Sequence, residues 1–287
     1  MALSARVPSG AVTAGFVKEV WSKRFLDAVE SSLVVAKLVD RSWEDDLVRE
    51  RGDKVNVGIT NNVTATEVVV GTAGAALNPL TGTKLQIVLN EWWEANIDID
   101  AMTWRQGHIN LQTVAEKRGA YAVSKKLDST LCARFSALNG SAALGTDGVA
   151  WNVDTIDEAV ETLDKNDVPR ENRAWIINPS GKRDLRSIER FSNKNYDPAK
   201  MSFGLVGDID GTPVFMTNNL TAATTGAYAC LLHEEAIALV INPSVEVVVM
   251  DGDFFKDKHL VRVRAEALWG SLEMRDTYGV SVLTRSK

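Results

Sequence analysis

The sequence is poor in the side chains that usually hold metals. Its 287 residues include three histidines and two cysteines, and this scarcity argues against a transition-metal centre. Cys132 and Cys230 fit a reducing compartment, where we expect them to be small buried side chains. A basic excess is also missing, because the net charge is −6. The composition therefore argues against a general nucleic-acid-binding protein.

Long apolar runs are absent too. No stretch approaches the roughly 18–20 apolar residues that a membrane-spanning helix needs, and residues 1–15 lack the apolar core of a secretory signal. The apolar fraction of 45% and the charged fraction of 24% are those of a folded chain with a sizeable core. We therefore expect no association with a membrane.

Catalytic motifs are missing as well. The segment 233–235 (His-Glu-Glu) begins like a metalloprotease helix, but Ile237 stands where that motif needs its second histidine. Residues 71–74 and 204–207 are glycine-containing turns without the spacing of phosphate-binding loops. Four aspartates lack the pattern of a calcium-binding loop: Asp208, Asp210, Asp251 and Asp253. We predict no catalytic residue, no metal site and no cofactor, and hence a protein that is not an enzyme.

The most prominent feature that is present is a long helical pattern from Ile109 to Leu138. It contains no proline and is dense in strong helix formers, and Asn139-Gly140 then offers the usual chemistry of a helix C-terminus. About thirty residues predict a rod of roughly 45 Å. The apolar positions fall on two nearly opposite faces: Leu111, Val114, Ala115 and Ala122, then Val123, Leu127, Leu131, Phe135 and Leu138. Either a core helix changes packing partner halfway, or a spine crosses a flattened molecule.

The segment before this helix predicts a long β-hairpin. Residues 54–59 alternate between apolar side chains and polar residues or glycine, and Lys84–Asp100 alternates again beyond a tip rich in Gly, Ala, Thr and Pro. At about 3.3 Å per residue the returning strand would exceed roughly 50 Å. It either bends at a bulge, for which Trp92-Trp93 is the candidate, or leaves the body as an arm that a partner chain must cover. We predict inter-subunit contacts at eight positions: Val55, Val57, Ile59, Leu85, Ile87, Leu89, Trp92 and Trp93.

The rest of the chain mixes helices and strands, which predicts an α+β fold. Residues 141–150 are small and predict a linker at a domain boundary. A capping box at Thr155–Glu158 and the Asn178-Pro179 pair each predict a helix start. Asp210-Gly211 predicts a hairpin turn. Strands are predicted in five further segments, 174–177, 213–216, 228–232, 245–250 and 261–269, and short β segments close the chain through 280–283.

Six segments occur in an order that is similar to a known family: FVKEVWSKRFLDAVESSLVVAKLVDRSWE (16–44), RGDKVNVG (51–58), LNEWWEANIDIDAMTWRQ (89–106), EKRGAYAVSKKLDSTL (116–131), GLVGDIDGTPVFMTNNL (204–220) and EALWGSLEMRDTYGVSVL (266–283). Together they resemble the major capsid proteins of tailed bacteriophages. The resemblance implies the α+β shell fold shared with encapsulins and herpesvirus capsid floors. Its expected parts are an N-terminal arm and first helix (1–51), a β-hairpin extension loop (52–100), a peripheral domain with the spine helix (101–150 and 244–287) and an axial domain (151–243).

The resemblance also implies a function. We expect a structural protein that self-assembles into pentamers and hexamers of an icosahedral phage head around double-stranded DNA, which it contacts non-specifically. A separate scaffolding protein and a portal are expected partners, with assembly in the host cytoplasm and a final location in the virion. The net negative charge suits a shell that should not cling to DNA. An encapsulin-type compartment shell stays open as the alternative, and an unrecognised enzyme is a more distant one.

Overall fold

A computed structural model of the chain describes residues 34–43, 54–60, 65, 67, 80–106, 111–188, 205–250 and 259–285. Most of the predicted N-terminal arm and first helix, and most of the predicted hairpin tip, lie outside the described residues.

Within these ranges the chain forms ten β-strands and four α-helices. The strands are β1 (Lys54–Thr60), β2 (Gly82–Val88), β3 (Glu91–Asp100), β4 (Arg173–Ile177), β5 (Leu205–Ile209), β6 (Thr212–Met216), β7 (Tyr228–His233), β8 (Ile237–Met250), β9 (Leu260–Glu273) and β10 (Gly279–Leu283). The helices are α1 (Ala101–Gln106), α2 (Leu111–Arg134), α3 (Val153–Lys165) and α4 (Pro179–Ser187). Short 3-10 turns lie at Val35–Lys37, Phe135–Ala137, Glu234–Ala236 and Asp276–Tyr278.

The described strands form three sheets. β1 and β2 pair as an antiparallel hairpin, β3, β9 and β8 form an antiparallel sheet in that order, and five strands follow the order β10-β7-β4-β6-β5. Only one pair of these strands is parallel, β4 with β6, and α4 lies in the connection between them. The mixture of helices with largely antiparallel sheets confirms the α+β prediction.

The predicted seventeen-residue strand is divided. β2 pairs with β1, and β3 pairs with β9, so the chain passes from one sheet to another across Leu89-Asn90. The bend that we predicted at Trp92-Trp93 was wrong in position, because both tryptophans lie inside β3 with Leu268 and Ala267 of β9 as their partners. The change of sheet therefore divides an extended hairpin from the body of the subunit.

The long helix is confirmed as α2, which continues into the 3-10 turn at Phe135–Ala137. Asn139 and Gly140 follow with φ of 56° and 63°, as expected for a left-handed helix end. The buried stripe is continuous rather than split between faces. It proceeds in steps of four residues, each rotating about 40° around the helix: Ala115, Gly119, Val123, Leu127, Leu131 and Phe135.

The winding stripe gives the helix two sets of neighbours. α2 contacts β3, β8 and β9, whereas the turn that continues it contacts β7 and β10. The packing partner therefore changes at the C-terminal end of the helix rather than halfway along it, as one of the two alternatives expected. The expected burial of Ala122 was wrong, because this side chain is exposed. Each step of four residues rotates the buried stripe around the helix and away from the face on which Ala122 lies.

Two predicted helix starts have different outcomes. Asn178 accepts a hydrogen bond from the backbone N–H of Gly181 at 2.8 Å, so the predicted start of α4 is confirmed. The capping box predicted at Thr155 was wrong. Asn152 caps α3 instead, and Thr155 donates its backbone N–H to Asn152 Oδ1 at 2.8 Å.

The last strand joins the sheet of the segment predicted as axial. β10 pairs with β7, and the linker runs beside it, because Leu144 N–H donates to the Ser281 carbonyl and Leu283 N–H donates to the Leu144 carbonyl, each at 2.9 Å. The predicted boundary at residue 244 also lies inside β8. The division into domains stays a prediction, and sheet membership argues for counting 279–283 with 151–243.

Candidate assembly surface

The base of the hairpin rests on the subunit itself. Val55 and Val57 of β1, Ile87 of β2 and the following Leu89 are buried. They share a cluster with Ala238 and Val240 of β8 and with four half-buried side chains: Trp43, Leu268, Leu272 and Met274. Four of the eight predicted contact positions are therefore covered by their own chain. Of the other hairpin positions, Leu85 is half-buried, and the side chain of Ile59 lies outside the described residues.

A glycine permits this close seating. A Cβ placed on Gly270 of β9 would lie 2.4 Å from the Val88 carbonyl oxygen and 2.9 Å from the Val88 carbonyl carbon. Real Cβ atoms do not approach other heavy atoms so closely. The absence of a side chain at this position therefore lets the end of β2 cross over β9.

Trp92 and Trp93 point to opposite faces of the three-stranded sheet, since neighbouring side chains in a strand alternate. Lys126 Nζ of α2 lies 4.2 Å from the centre of the Trp93 ring, and Trp93 Nε1 donates to Glu91 Oε2 at 2.9 Å. Trp93 is thus engaged by its own subunit, although 41% of it remains exposed. Trp92 remains 70% exposed.

Trp92 belongs to an exposed apolar area, which we call the Trp92 patch and define as Trp92 and Val88. Trp92 is paired with Leu268, and Val88 crosses Gly270, two positions further along the same face of β9. Val88 is 37% exposed. Because β3 is an edge strand of the described sheet, this patch lies where the hairpin meets an open sheet edge. Exposed tryptophan at such a position favours a protein interface.

Charges on the same face are paired within the subunit. Arg262 Nε and Nη2 donate to the two carboxylate oxygens of Asp98 at 2.6 and 2.8 Å, and the hydrogen bonding to Asp98 raises the pKa of Arg262. Arg264 Nε lies 3.3 Å from Glu266 Oε2 and Nη1 lies 4.0 Å from Glu94 Oε2. Partly exposed pairs of this kind contribute little to stability, so the Trp92 patch is surrounded on this face by charged groups that are already paired.

The segment that begins like a metalloprotease has a structural role. His233 Nδ1 accepts the backbone N–H of Glu235 at 3.2 Å and so caps the turn at Glu234–Ala236. Its ring meets that of Tyr278 edge-on at 5.5 Å, and burial lowers the pKa of His233. Among the described residues, no group of three or more His, Cys, Asp or Glu side chains could hold a metal ion.

Both cysteines are buried and neither forms a disulfide, and burial raises the pKa of Cys230. In the part of the chain that the structure describes, no helix has the length and apolar character that crossing a membrane requires.

Comparisons with known proteins give a clear result for the fold. No family model matches the sequence, and no curated protein matches it. A solved structure from Mycobacterium phage Che8 is 20% identical, with 95% of this chain and 98% of that chain covered and a TM-score of 0.74. The capsid structure of cyanophage P-SCSP1u is 14% identical, with 100% and 99% covered and a TM-score of 0.66. The chain has the fold of a tailed-phage capsid protein.

A third structure with this capsid fold extends the comparison. The head structure of Helicobacter pylori bacteriophage KHP40 is 12% identical, with 82% of this chain and 84% of that chain covered and a TM-score of 0.63. These three structures confirm the predicted shell fold. Because their sequences are so distant from this chain, the likeness concerns the fold alone. These phage structures give no support to the encapsulin alternative.

Sequence reasoning missed two residues that organise this capsid fold. Gly270 was read only as part of the closing segment, and nothing local distinguishes it from an ordinary strand glycine. Asp128 is wholly buried, although it entered the prediction only as part of the segment 116–131. A signal for Asp128 was present, because it lies between Leu127 and Leu131 of the buried stripe.

Proposed function

We propose that this chain is a major capsid protein that self-assembles into the pentamers and hexamers of an icosahedral phage head. The observation that carries the proposal is the match of nearly the whole chain to nearly the whole of capsid structures such as that of cyanophage P-SCSP1u. The role is structural rather than enzymatic. The shell encloses double-stranded DNA, and the virion is its final location.

The Trp92 patch is the proposed site of contact between subunits. Covering a tryptophan removes about 150–250 Å² from water. The 70% of Trp92 that is exposed would then contribute about 3–4 kcal/mol at about 25 cal/mol per Å², as an upper limit before the costs of association. A contact of this size is weak alone, but it recurs around every ring of the shell.

The other predicted contact residues form two groups, those that keep exposed surface and those that are buried by their own chain. Trp93 and Leu85 keep exposed surface and remain proposed contact residues with Trp92, and Ile59 stays a prediction. In this proposal Val55, Val57, Ile87 and Leu89 act indirectly, since they seat the hairpin on β8 and β9.

A separate scaffolding protein, a portal and the packaged DNA are the proposed partners, and assembly takes place in the host cytoplasm. The net charge of −6 favours loose, non-specific contact with DNA, because counterion release requires many basic side chains. In this scheme the 52–100 segment is the extension loop, and 151–243 with β10 forms the axial domain.

Negative-stain microscopy and sedimentation velocity test the proposal on the protein expressed alone and then with its neighbouring genes. We expect closed shells, or rings of five and six subunits. Trp92→Ala should reduce particle yield at least about tenfold at equal protein concentration, because a loss of about 1.4 kcal/mol per contact already gives that factor.

Trp92→Phe is the matched variant, because it keeps most of the apolar surface. It should assemble nearly as well as the unaltered protein. Circular dichroism should show that both variants are folded, since Trp92 contributes little to the core. A small monodisperse species under every condition would contradict the capsid role, whereas normal assembly of Trp92→Ala would remove Trp92 from the contact.

A further inference from the structure

A short segment precedes the hairpin in the chain. We call residues Val34–Asp40 the strap. It lies within the segment predicted as the N-terminal arm and first helix (1–51). Val35 and Val39 are buried in the main core, so the strap lies against the subunit body. The chain on either side of the strap therefore leaves the body from this place.

Asp128 of α2 binds one end of the strap. Its Oδ1 accepts the backbone N–H groups of Val35 at 3.0 Å and Ala36 at 3.1 Å, and its Oδ2 accepts that of Val34 at 3.4 Å. Three consecutive strap amides, at the start of the 3-10 turn, thus share one carboxylate. Ionised acceptors make stronger hydrogen bonds than neutral ones.

The same carboxylate reaches a third part of the chain. Asn219, in the connection between β6 and β7, donates its Nδ2–H to Asp128 Oδ2 at 3.3 Å. Asp128 is fully buried, and burial raises the pKa of Asp128 while the hydrogen bonds from Asn219 and from the strap lower it. These four hydrogen bonds to the buried acid all come from donors, an arrangement that suits a carboxylate.

The other end of the strap is bound by a different element. Asp40 N–H donates to the Ile237 carbonyl at 3.1 Å, and Leu239 N–H donates to the Asp40 carbonyl at 2.9 Å. These bonds attach Asp40 to β8, which also carries the seat of the hairpin. The strap is thus held by backbone pairing at Asp40, by the burial of Val35 and Val39, and by the Asp128 carboxylate at Val34–Ala36.

We propose that Asp128 is a positioning residue for assembly, which holds the strap so that the N-terminal segment and the hairpin start from fixed places on the subunit. The proposal rests on the capsid role for its consequence, but the attachment itself does not depend on that role. Loss of the carboxylate should loosen the Val34–Ala36 end of the strap while the sheets stay folded, because β8 and the core retain their own contacts.

Hydrogen exchange measured by mass spectrometry on the full chain tests the attachment. In Asp128→Asn one carboxylate oxygen becomes a nitrogen that cannot accept a hydrogen bond, and the remaining neutral oxygen accepts more weakly. The amides of 34–36 should therefore exchange at least about tenfold faster than in the unaltered protein. Amides of β4 should be unchanged. Asn219→Ala removes only one of the donors to Asp128, so the amides of 34–36 should exchange only about two- to fivefold faster.

Two controls separate this effect from loss of charge and from general destabilisation. Asp210→Asn removes the same charge in an exposed turn, where asparagine is also favoured, and should leave strap exchange unchanged. Asn152→Ala weakens α3 at a distance from the strap and should lower stability without raising exchange at 34–36. Particle yield should fall several-fold in Asp128→Asn and not in either control.

The outcomes are distinguishable. Strap exchange that stays unchanged in Asp128→Asn overturns the attachment, and if that variant does not fold, unchanged exchange in Asn219→Ala overturns it instead. A loosened strap with normal particle yield overturns the positioning role in assembly. If the unaltered protein forms no shells at all, the capsid role fails, while the exchange result still decides the attachment.

Discussion

Gly270→Ala tests how the hairpin is held on the body of the subunit. The added Cβ would lie 2.4 Å from the Val88 carbonyl oxygen and 3.3 Å from Ile87 Cγ2, whereas close carbon–oxygen contacts are about 3.3 Å or longer. The end of β2 must therefore move by about 1 Å. Inserting a methyl group into packed structure usually costs about 1–3 kcal/mol, and we expect a loss of stability in that range.

The loss should be concentrated in the hairpin. Burial of a side chain such as Val57 or Ile87 stabilises the packing of the hairpin by about 1.5–3 kcal/mol. One added methyl group should therefore weaken the packing of the hairpin on β8 and β9 without detaching the hairpin. Urea denaturation gives the change in the free energy of unfolding. Hydrogen exchange should quicken in β1 and β2 and stay unchanged in β4.

Gly58→Ala is the matched control, because a Cβ at this hairpin position meets nothing within 4 Å and its backbone is not in the left-handed region. Its stability should equal or slightly exceed that of the unaltered protein, since alanine restricts the unfolded chain. Equal stability and equal hairpin exchange in the Gly270 and Gly58 variants would refute the argument from close approach.

Three further predictions concern the body of the subunit. Gly119→Leu should lower stability by about 1–3 kcal/mol, because even a Cβ there lies 2.9 Å from Ala265 Cβ; thermal unfolding measures the loss, and adding Ala265→Gly should recover part of it. Asn152→Ala should cost about 1 kcal/mol through the lost cap of α3, measured by urea denaturation, and an unchanged midpoint would contradict the capping role. Hydrogen bonds from Arg173, then Arg170, lower the pKa of Asp164 below its ordinary value of 3.8. The stability that this group contributes is therefore complete above pH 3.8 and is lost as the pH falls through the folded pKa. Acid unfolding of Asp164→Asn should accordingly show a smaller loss of stability at low pH than the unaltered protein.

Turns, helix ends and strands that depend on a few neighbouring residues could be predicted from the sequence. Asn139-Gly140 ends the spine with two positive φ angles, and Asp210-Gly211 makes the hairpin turn with φ of 51° and 77°, because these residues tolerate left-handed backbone. Alternation likewise marked β9, and the Asn178-Pro179 pair marked the start of α4. The order of the segments, rather than any one of them, indicated the shell fold.

The candidate surface could be predicted only in part. Alternation correctly predicted that the hairpin has an apolar face. It does not indicate whether that face is buried by the same chain or by a neighbouring subunit. Val57 and Ile87 are buried by β8 and β9, while Trp92 stays exposed. The difference depends on where the strand leaves one sheet for the other.

The sequence by itself determined which segments form helices, strands and turns, because backbone preference and hydrophobic spacing act over a few residues. Tertiary structure alone decided the division at Leu89-Asn90, which depends on Gly270 far along the chain. It also decided the role of Asp128, whose donors at Val34–Ala36 and Asn219 lie more than ninety residues away. Contacts between distant segments follow from packing the whole chain at once, and no local pattern encodes them.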